Sequence, residues 1–119
     1  MSPLIKRPKA WPSTSIRMET GCGKLYIHVS YDPDTKLPTE VFASLGKSGG
    51  CATCQLEGMS RAITIGLRSG IPVDGYIKQL SGIKCPSPAF DSGEKIESCA
   101  DAVSKVLAGY IKENFPEGK

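Results

Sequence analysis

The apolar positions of this chain change period partway along it, and that change separates two kinds of element. From Ile16 apolar and polar residues alternate. Leu25, Ile27 and Val29 interleave with Tyr26, His28 and Ser30, and Asp32-Pro33-Asp34 closes the run in a turn. Alternation of period two marks a strand with one buried face. Val41, Ala43 and Leu45 repeat it over Thr39 to Leu45, so three short strands joined by tight turns predict an antiparallel meander. After Gly46-Lys47-Ser48-Gly49-Gly50 the period becomes helical. Leu56, Met59, Ile63 and Leu67 fall three and four apart, an apolar stripe on a helix of about 15 residues. Gly70 and Pro72 stop it in the expected order, glycine at the end and proline just beyond. Val73 to Leu80 predicts a short second helix with Val73, Ile77 and Leu80 inward, and Ser81 to Glu97, rich in Gly, Pro and Ser, reads as a loop. Ser98 is the expected N-cap of a last helix, with Asp101 at N3 in the acidic place of a capping box. That helix runs to about Asn114 with Val103, Leu107, Tyr110 and Ile111 on one face. Strands first and helices after predict an α+β domain: an antiparallel three- to four-stranded sheet with two main helices and one short helix packed on one face.

Length and charge narrow this picture. The 119 residues make one domain, which buries about two thirds of its unfolded surface and needs no staples to hold a core. Residues 1–13 read as an extended basic, proline-rich arm, 14–114 as the domain and 115–119 as a tail. The arm is either a free terminus or one that docks on a neighbour. Lys and Arg exceed Asp and Glu by 15 to 12, too small a surplus for a binder of duplex DNA, which carries a dense basic stripe. The basic N-terminus has no apolar stretch behind it, so no secretory signal is expected, and no run approaches the roughly 18 apolar residues of a membrane span. A cytoplasmic location is expected (the host cytoplasm if the chain is viral), and there disulfides are rare.

Five cysteines, an odd number, then suit reduced thiols better than a disulfide framework. Cys22, Cys51, Cys54, Cys85 and Cys99 have 28, 2, 30 and 13 residues between them. Only Cys51 and Cys54 form a C-x2-C pair, and no second pair completes a zinc-ribbon spacing. Cys51 and Cys99 fall in the first turns of two helices, where the dipole and free N–H groups favour thiolate. With Cys22 at a strand start and Cys85 in a loop, four thiolates could meet in a closed structural zinc site. Small buried packing residues are the plainer account of the same cysteines.

Gly46-Lys47-Ser48-Gly49-Gly50 follows a strand and opens a helix, the setting in which backbone N–H groups cradle an anion. It is not a Walker A loop, because Val41 stands where that motif needs glycine. The same glycines also suit a tight turn. Arg61 and Arg68, seven apart, share a helix face at roughly 10 Å separation. Glu57 is placed to pair with Arg61 at i, i+4. Lys24, Lys47 and Arg68 are candidates for phosphate oxygens, to which Arg offers a bidentate fork. Tyr26, Phe42 or Phe90 are candidates to stack a base. No catalytic constellation is complete: the single histidine, His28, is mid-strand with no Ser or Cys near it in sequence.

Several segments together resemble a known family. They are Thr20-Gly21-Cys22-Gly23-Lys24-Leu25-Tyr26, Glu40-Val41-Phe42 with Leu45 to Cys51, Gly66-Leu67-Arg68-Ser69-Gly70, Gln79 to Pro88, and Ser98-Cys99-Ala100-Asp101. Over residues 14–110 they are similar to the TSCPD domain. That domain is best known near the C-terminus of adenosylcobalamin-dependent ribonucleotide reductases and also occurs free-standing. The resemblance places family cysteines at Cys22, Cys51, Cys85 and Cys99, with Cys54 additional, and implies a shared site for them. The name motif departs here to Glu97-Ser98-Cys99-Ala100-Asp101. The reductase's catalytic barrel, cobalamin site and thiol shuttle do not fit in this chain, so its activity is not implied. In its general build the chain also looks similar to the phage Thoeris anti-defence sponges, oligomers that sequester cyclic ADP-ribose or cyclic oligonucleotide signals without cleaving them.

The leading expectation is therefore a homo-oligomeric, non-catalytic binder of a phosphate-bearing nucleotide-type ligand. Arg61, Arg68, Lys24, Lys47, Ser48, Gly49 and Gly50 would meet phosphates, and Tyr26 or Phe90 a base. The alternatives are a metal-binding accessory domain of a ribonucleotide reductase, with zinc on Cys22, Cys51, Cys85 and Cys99, and a thiol redox module using Cys51 and Cys54.

Overall fold

The computed structural model describes residues 6–46 and 50–116. Strands β1 (Ser13–Thr20), β2 (Gly23–Tyr31) and β3 (Pro38–Leu45) form an antiparallel sheet in chain order. Helix α1 (Gly50–Arg68) and the short α2 (Val73–Leu80) follow. A hairpin of β4 (Ala89–Asp91) and β5 (Glu94–Ile96) and the last helix α3 (Cys99–Asn114) complete the α+β fold.

The pairing shows why alternation fixed the sheet. Ile16, Ile27 and Ala43 lie side by side, as do Met18, Leu25 and Leu45, and Thr14, Val29 and Val41. These rows share one face, which the helices cover. Leu25, Ile27, Val29, Val41 and Ala43 are buried there with Leu56, Ile63, Val103 and Leu107. Each fully buried aliphatic side chain contributes roughly 1.5–3 kcal/mol. The alternate rows, Ser15–His28–Phe42 and Arg17–Tyr26–Ser44, form the opposite face.

Helix α1 is held along the free edge of β3 as well as by its apolar stripe. Ser60 Oγ accepts from Ala43 N–H at 3.0 Å, and Thr64 Oγ1 accepts from Val41 N–H and donates to Val41 C=O, both at 3.1 Å. Residues i and i+4 of a helix rise about 6 Å, close to the repeat of two strand residues, so the two hydroxyls reach alternate outward N–H groups. At the helix end Gly70 has φ of 94°. Gly70 N–H bonds Leu67 C=O and Ile71 N–H bonds Gly66 C=O, a Schellman closure that needs glycine. Gly66 makes room for α2, since a Cβ there would lie 1.7 Å from the Tyr76 hydroxyl and the tyrosine ring would have to shift.

The segment from Ser81 to Glu97, expected as a loop, contains the β4–β5 hairpin. Ser92 (φ 52°) and Gly93 (φ 83°) make its two-residue turn, with positive φ at both positions as type I′ requires. Three-residue strands are too short to show an alternation, whereas Ser92-Gly93 was the visible signal. Ser98 caps α3 as expected, accepting from Asp101 N–H at 3.1 Å, but the Asp101 carboxylate accepts from Gly82 and Glu97 N–H groups instead of closing a capping box on Ser98. Of the basic arm, Arg7 pairs with Glu40 on β3 of its own chain and lies over the Trp11 ring.

Candidate functional site: a thiol corner and an arginine groove

Three chain segments meet beside the first turn of α3. Thr20 Oγ1 organises the β1–β2 turn by donating to Gly23 C=O at 2.8 Å and accepting from Cys22 N–H at 3.2 Å. The loop at Cys85 crosses this turn so closely that a Cβ on Gly21 would sit 1.6 Å from the Ser87 carbonyl oxygen. Cys99 opens α3, and its thiol reaches Thr20 Oγ1 at 3.7 Å. Cys85 N–H bonds Glu97 C=O at 3.1 Å, tying the loop to the residue before the cap.

The result is a cavity of about 370 Å³ lined by Cys22, Cys85 and Cys99 together with Ala52, Leu56 and Met59 of α1. Burial pushes the Cys99 thiol up from its ordinary range. The nearby Cys22 and Cys85 thiols push the same way, against the hydrogen bond to Thr20. All five cysteines are free. Cys51 is exposed one residue before Ala52, and Cys54 is exposed outside the cavity lining. Among the described residues no three His, Cys, Asp or Glu side chains are already grouped as a metal-ion site. The donor type suits a soft metal, and three of the four thiols already share one cavity.

The residues expected to meet a phosphate-bearing ligand do not gather in one place. Arg61 and Arg68 line a groove of about 640 Å³ between α1 and β3, with Phe42, Ser60, Thr64, Glu40 and Glu57. Arg61 pairs with Glu57 at 2.7 Å, as the i, i+4 spacing foretold. Lys24 lies elsewhere, at Cys22 and Gly46, and pairs with Glu19 at 3.5 Å. Tyr26 stands on the face of the sheet away from the helices, against Gly46. Phe90 is two-thirds exposed on β4. Gly50 begins α1 with φ of 79°, while Lys47, Ser48 and Gly49 lie outside the described residues. Phe42 is thus the aromatic that joins the arginines. Sequence reasoning did not foresee Thr20 and Gly21 as the frame of the thiol corner, although both stand beside Cys22 in the motif.

Comparison with known proteins gives one family. The model of the TSCPD domain matches residues 5–111. The vitamin B12-dependent ribonucleotide reductase of Streptomyces clavuligerus is 28% identical over 115 residues, 96% of this chain and 12% of that protein. The enzyme of the same name from Streptantibioticus cattleyicolor is 28% identical over 83 residues, 69% of this chain and 14% of that protein. The chain therefore spans a small part of these relatives' length. No solved structure matches it. No helix among the described residues is long and apolar enough to cross a membrane.

Proposed function

The chain belongs to the TSCPD domain family, and from that premise we propose that it is a non-catalytic accessory domain that works with a vitamin B12-dependent ribonucleotide reductase. The observation that carries this reading is the likeness to such reductases along 96% of the chain. Its thiol corner is a structural zinc site. Cys22, Cys85 and Cys99 supply three ligands from one cavity, and Cys51, at the start of α1 beside Ala52, is the fourth. Four thiolates around zinc make a closed tetrahedral site with no open position for substrate. The metal's part is to join the β1–β2 turn, the loop at Cys85 and the starts of α1 and α3.

Metal content and reductase binding test the two halves separately. Elemental analysis of the purified chain should give about one zinc per chain, lost on Cys22→Ser, Cys85→Ser or Cys99→Ser and kept on Cys54→Ser. A metal-free wild-type chain overturns the zinc site. Titration onto a purified B12-dependent reductase should show saturable binding or a change in nucleotide reduction, and neither effect at saturating chain overturns the accessory role.

A second reading rests on the groove of Phe42, Arg61 and Arg68. A planar aromatic about half exposed beside two guanidinium groups suits a base and a phosphate, so a cyclic ADP-ribose isomer or cyclic oligonucleotide is the ligand to try. Glu40 and Glu57 in the same groove oppose a highly charged one. Calorimetry with these compounds should show binding that Arg68→Ala weakens at least about tenfold, a loss of about 1.4 kcal/mol. Absence of heat with every compound overturns this reading.

A further inference from the structure

The two edges of the sheet are treated differently. The β3 edge is closed by Ser60 and Thr64 of α1. On β1 the two-residue turn after Thr20 makes Thr20 and Gly23 a hydrogen-bonded pair, so Thr14, Ile16 and Met18 also direct their N–H and C=O groups at β2. Those of Ser13, Ser15, Arg17 and Glu19 point the other way. Glu19 N–H is met by Asp91 Oδ2 at 2.8 Å. Ser13, Ser15 and Arg17 are exposed, and among the described residues nothing hydrogen-bonds their backbone on that side. The open stretch is therefore Ser13–Arg17, since β4 packs against β1 and bonds it at Glu19, and an open strand edge is a template for pairing with another strand.

Beside this edge runs a groove of about 410 Å³, floored by Ile16 and Met18 and walled by α3. Along the wall Lys105, Gly109 and Glu113 follow at intervals of four, one above another on the helix. Gly109 is exposed and has no heavy atom within 4 Å of where its Cβ would be. Its presence in the middle of a helix costs roughly 0.5–1 kcal/mol relative to alanine, and nothing among the described residues crowds a Cβ there.

We propose that β1 and α3 form a two-fold interface with a second copy of this chain, in which the two β1 edges pair antiparallel and the two α3 helices cross at Gly109. Two independent features, the open strand edge and the exposed glycine of α3, agree on this occupant. The backbone groups of Ser13, Ser15 and Arg17 find complementary groups on the same residues of the other copy. Antiparallel helices crossing at Gly109 repeat one contact in both halves, as a two-fold interface needs; Lys105 stays with Asp101 at 3.0 Å and contributes no new ion pair. The distances also fit. With α3 packed over β1 and β2, and strands about 4.8 Å apart, the two helix axes come to lie roughly 10 Å apart, within helix-packing range where glycine removes the obstructing side chain. A foreign extended peptide would use the strand edge but leave the exposed Gly109 face of α3 uncovered. The product is a continuous six-stranded sheet carrying two grooves of Phe42, Arg61 and Arg68 at its far edges.

Sedimentation equilibrium on the full chain tests this, with variants on two different elements. Wild type should show at least twice the 12.7 kDa chain mass. Ser15→Pro removes only an outward N–H, a change edge strands tolerate. Gly109→Arg puts a long side chain at the crossing in a position that favours non-glycine residues. Each variant should sediment at half the wild-type mass or less, with its circular dichroism melt retained. A monomeric wild type, or an assembly that either folded variant leaves intact, overturns the interface. If Ser15→Pro fails to fold, Gly109→Arg decides alone.

Discussion

Asp101 is fully buried at the start of α3, and both its carboxylate oxygens are occupied. Oδ1 accepts from Gly82 N–H and Oδ2 from Glu97 N–H, each at 2.9 Å, and Lys105 Nζ lies 3.0 Å from Oδ2. Burial alone would raise its pKa, but the Gly82 and Glu97 N–H groups and the Lys105 charge outweigh it, and the net shift is downward. A carboxylate with a depressed folded pKa contributes stability that is full above its unfolded value, about 3.9, and lost as pH falls through the folded one. Urea midpoints should therefore hold near neutrality and fall in acid. Asp101→Asn should cost about 3 kcal/mol at pH 7, because Lys105 loses its carboxylate and an amide NH2 is turned on a backbone N–H. The same variant should flatten the acid limb of the profile. Tyr110 titrates with the opposite sign. Burial, helped by Tyr31, pushes its phenol up to about 12, while its hydroxyl donates to Lys36 C=O at 2.6 Å. Its contribution is present below the unfolded value and lost as pH rises through about 12. The phenolate absorbance that disappears in Tyr110→Phe should accordingly rise only near that pH.

At the scale of elements, periodicity revealed which face of β1 to β3 and of the helices is apolar. It did not reveal how a helix meets a strand edge. Ser60 lies on the buried stripe between Leu56 and Ile63, a polar side chain among apolar ones whose hydroxyl accepts from Ala43 N–H. The same role falls to Thr64 at Val41. Replacing Ser60 with Ala or Thr64 with Val should each leave an edge N–H without its acceptor and cost roughly 1–3 kcal/mol, read as a lower urea midpoint at unchanged slope. The thiol corner was partly legible. Helix starts and motif residues pointed to Cys22, Cys51, Cys85 and Cys99, but the close crossing of Gly21 and Ser87 depends on a loop whose path no local pattern encodes. Gly21→Ala should be worse than an ordinary surface change, since the obstacle, the Ser87 carbonyl, is backbone and must move for the methyl to fit. A loss of about 1–3 kcal/mol is expected, with weaker zinc retention. The ligand residues scattered for the opposite reason: residue type identified phosphate-competent groups, while only topology decides that Arg61 and Arg68 meet Phe42 and that Lys24 and Phe90 do not.

On the scale of the molecule, the hydrophobic core and the thiol corner are separable. The core lies between the three-stranded sheet and the helices, centred on Leu25, Ile27, Val103 and Leu107, all completely buried. Aliphatic burial there supports the fold without any metal. The corner is different: around Cys85 the chain from Ser81 to Ser87 has no regular structure and is exposed over most of its length, held by single hydrogen bonds such as Cys85 N–H to Glu97 C=O. On the proposed reading, zinc on the cysteines would act mainly on this segment. Removing it with a chelator should raise amide hydrogen exchange across residues 81–88 and at the start of α3, with the exchange of Leu25, Ile27 and Val29 little changed. Local opening costs far less than global unfolding, so the two regions respond independently. If exchange collapses throughout the sheet on chelation, the metal holds the whole fold and the core is weaker than its burial implies. If exchange is unchanged everywhere, the thiols are packing residues and the corner needs no ion.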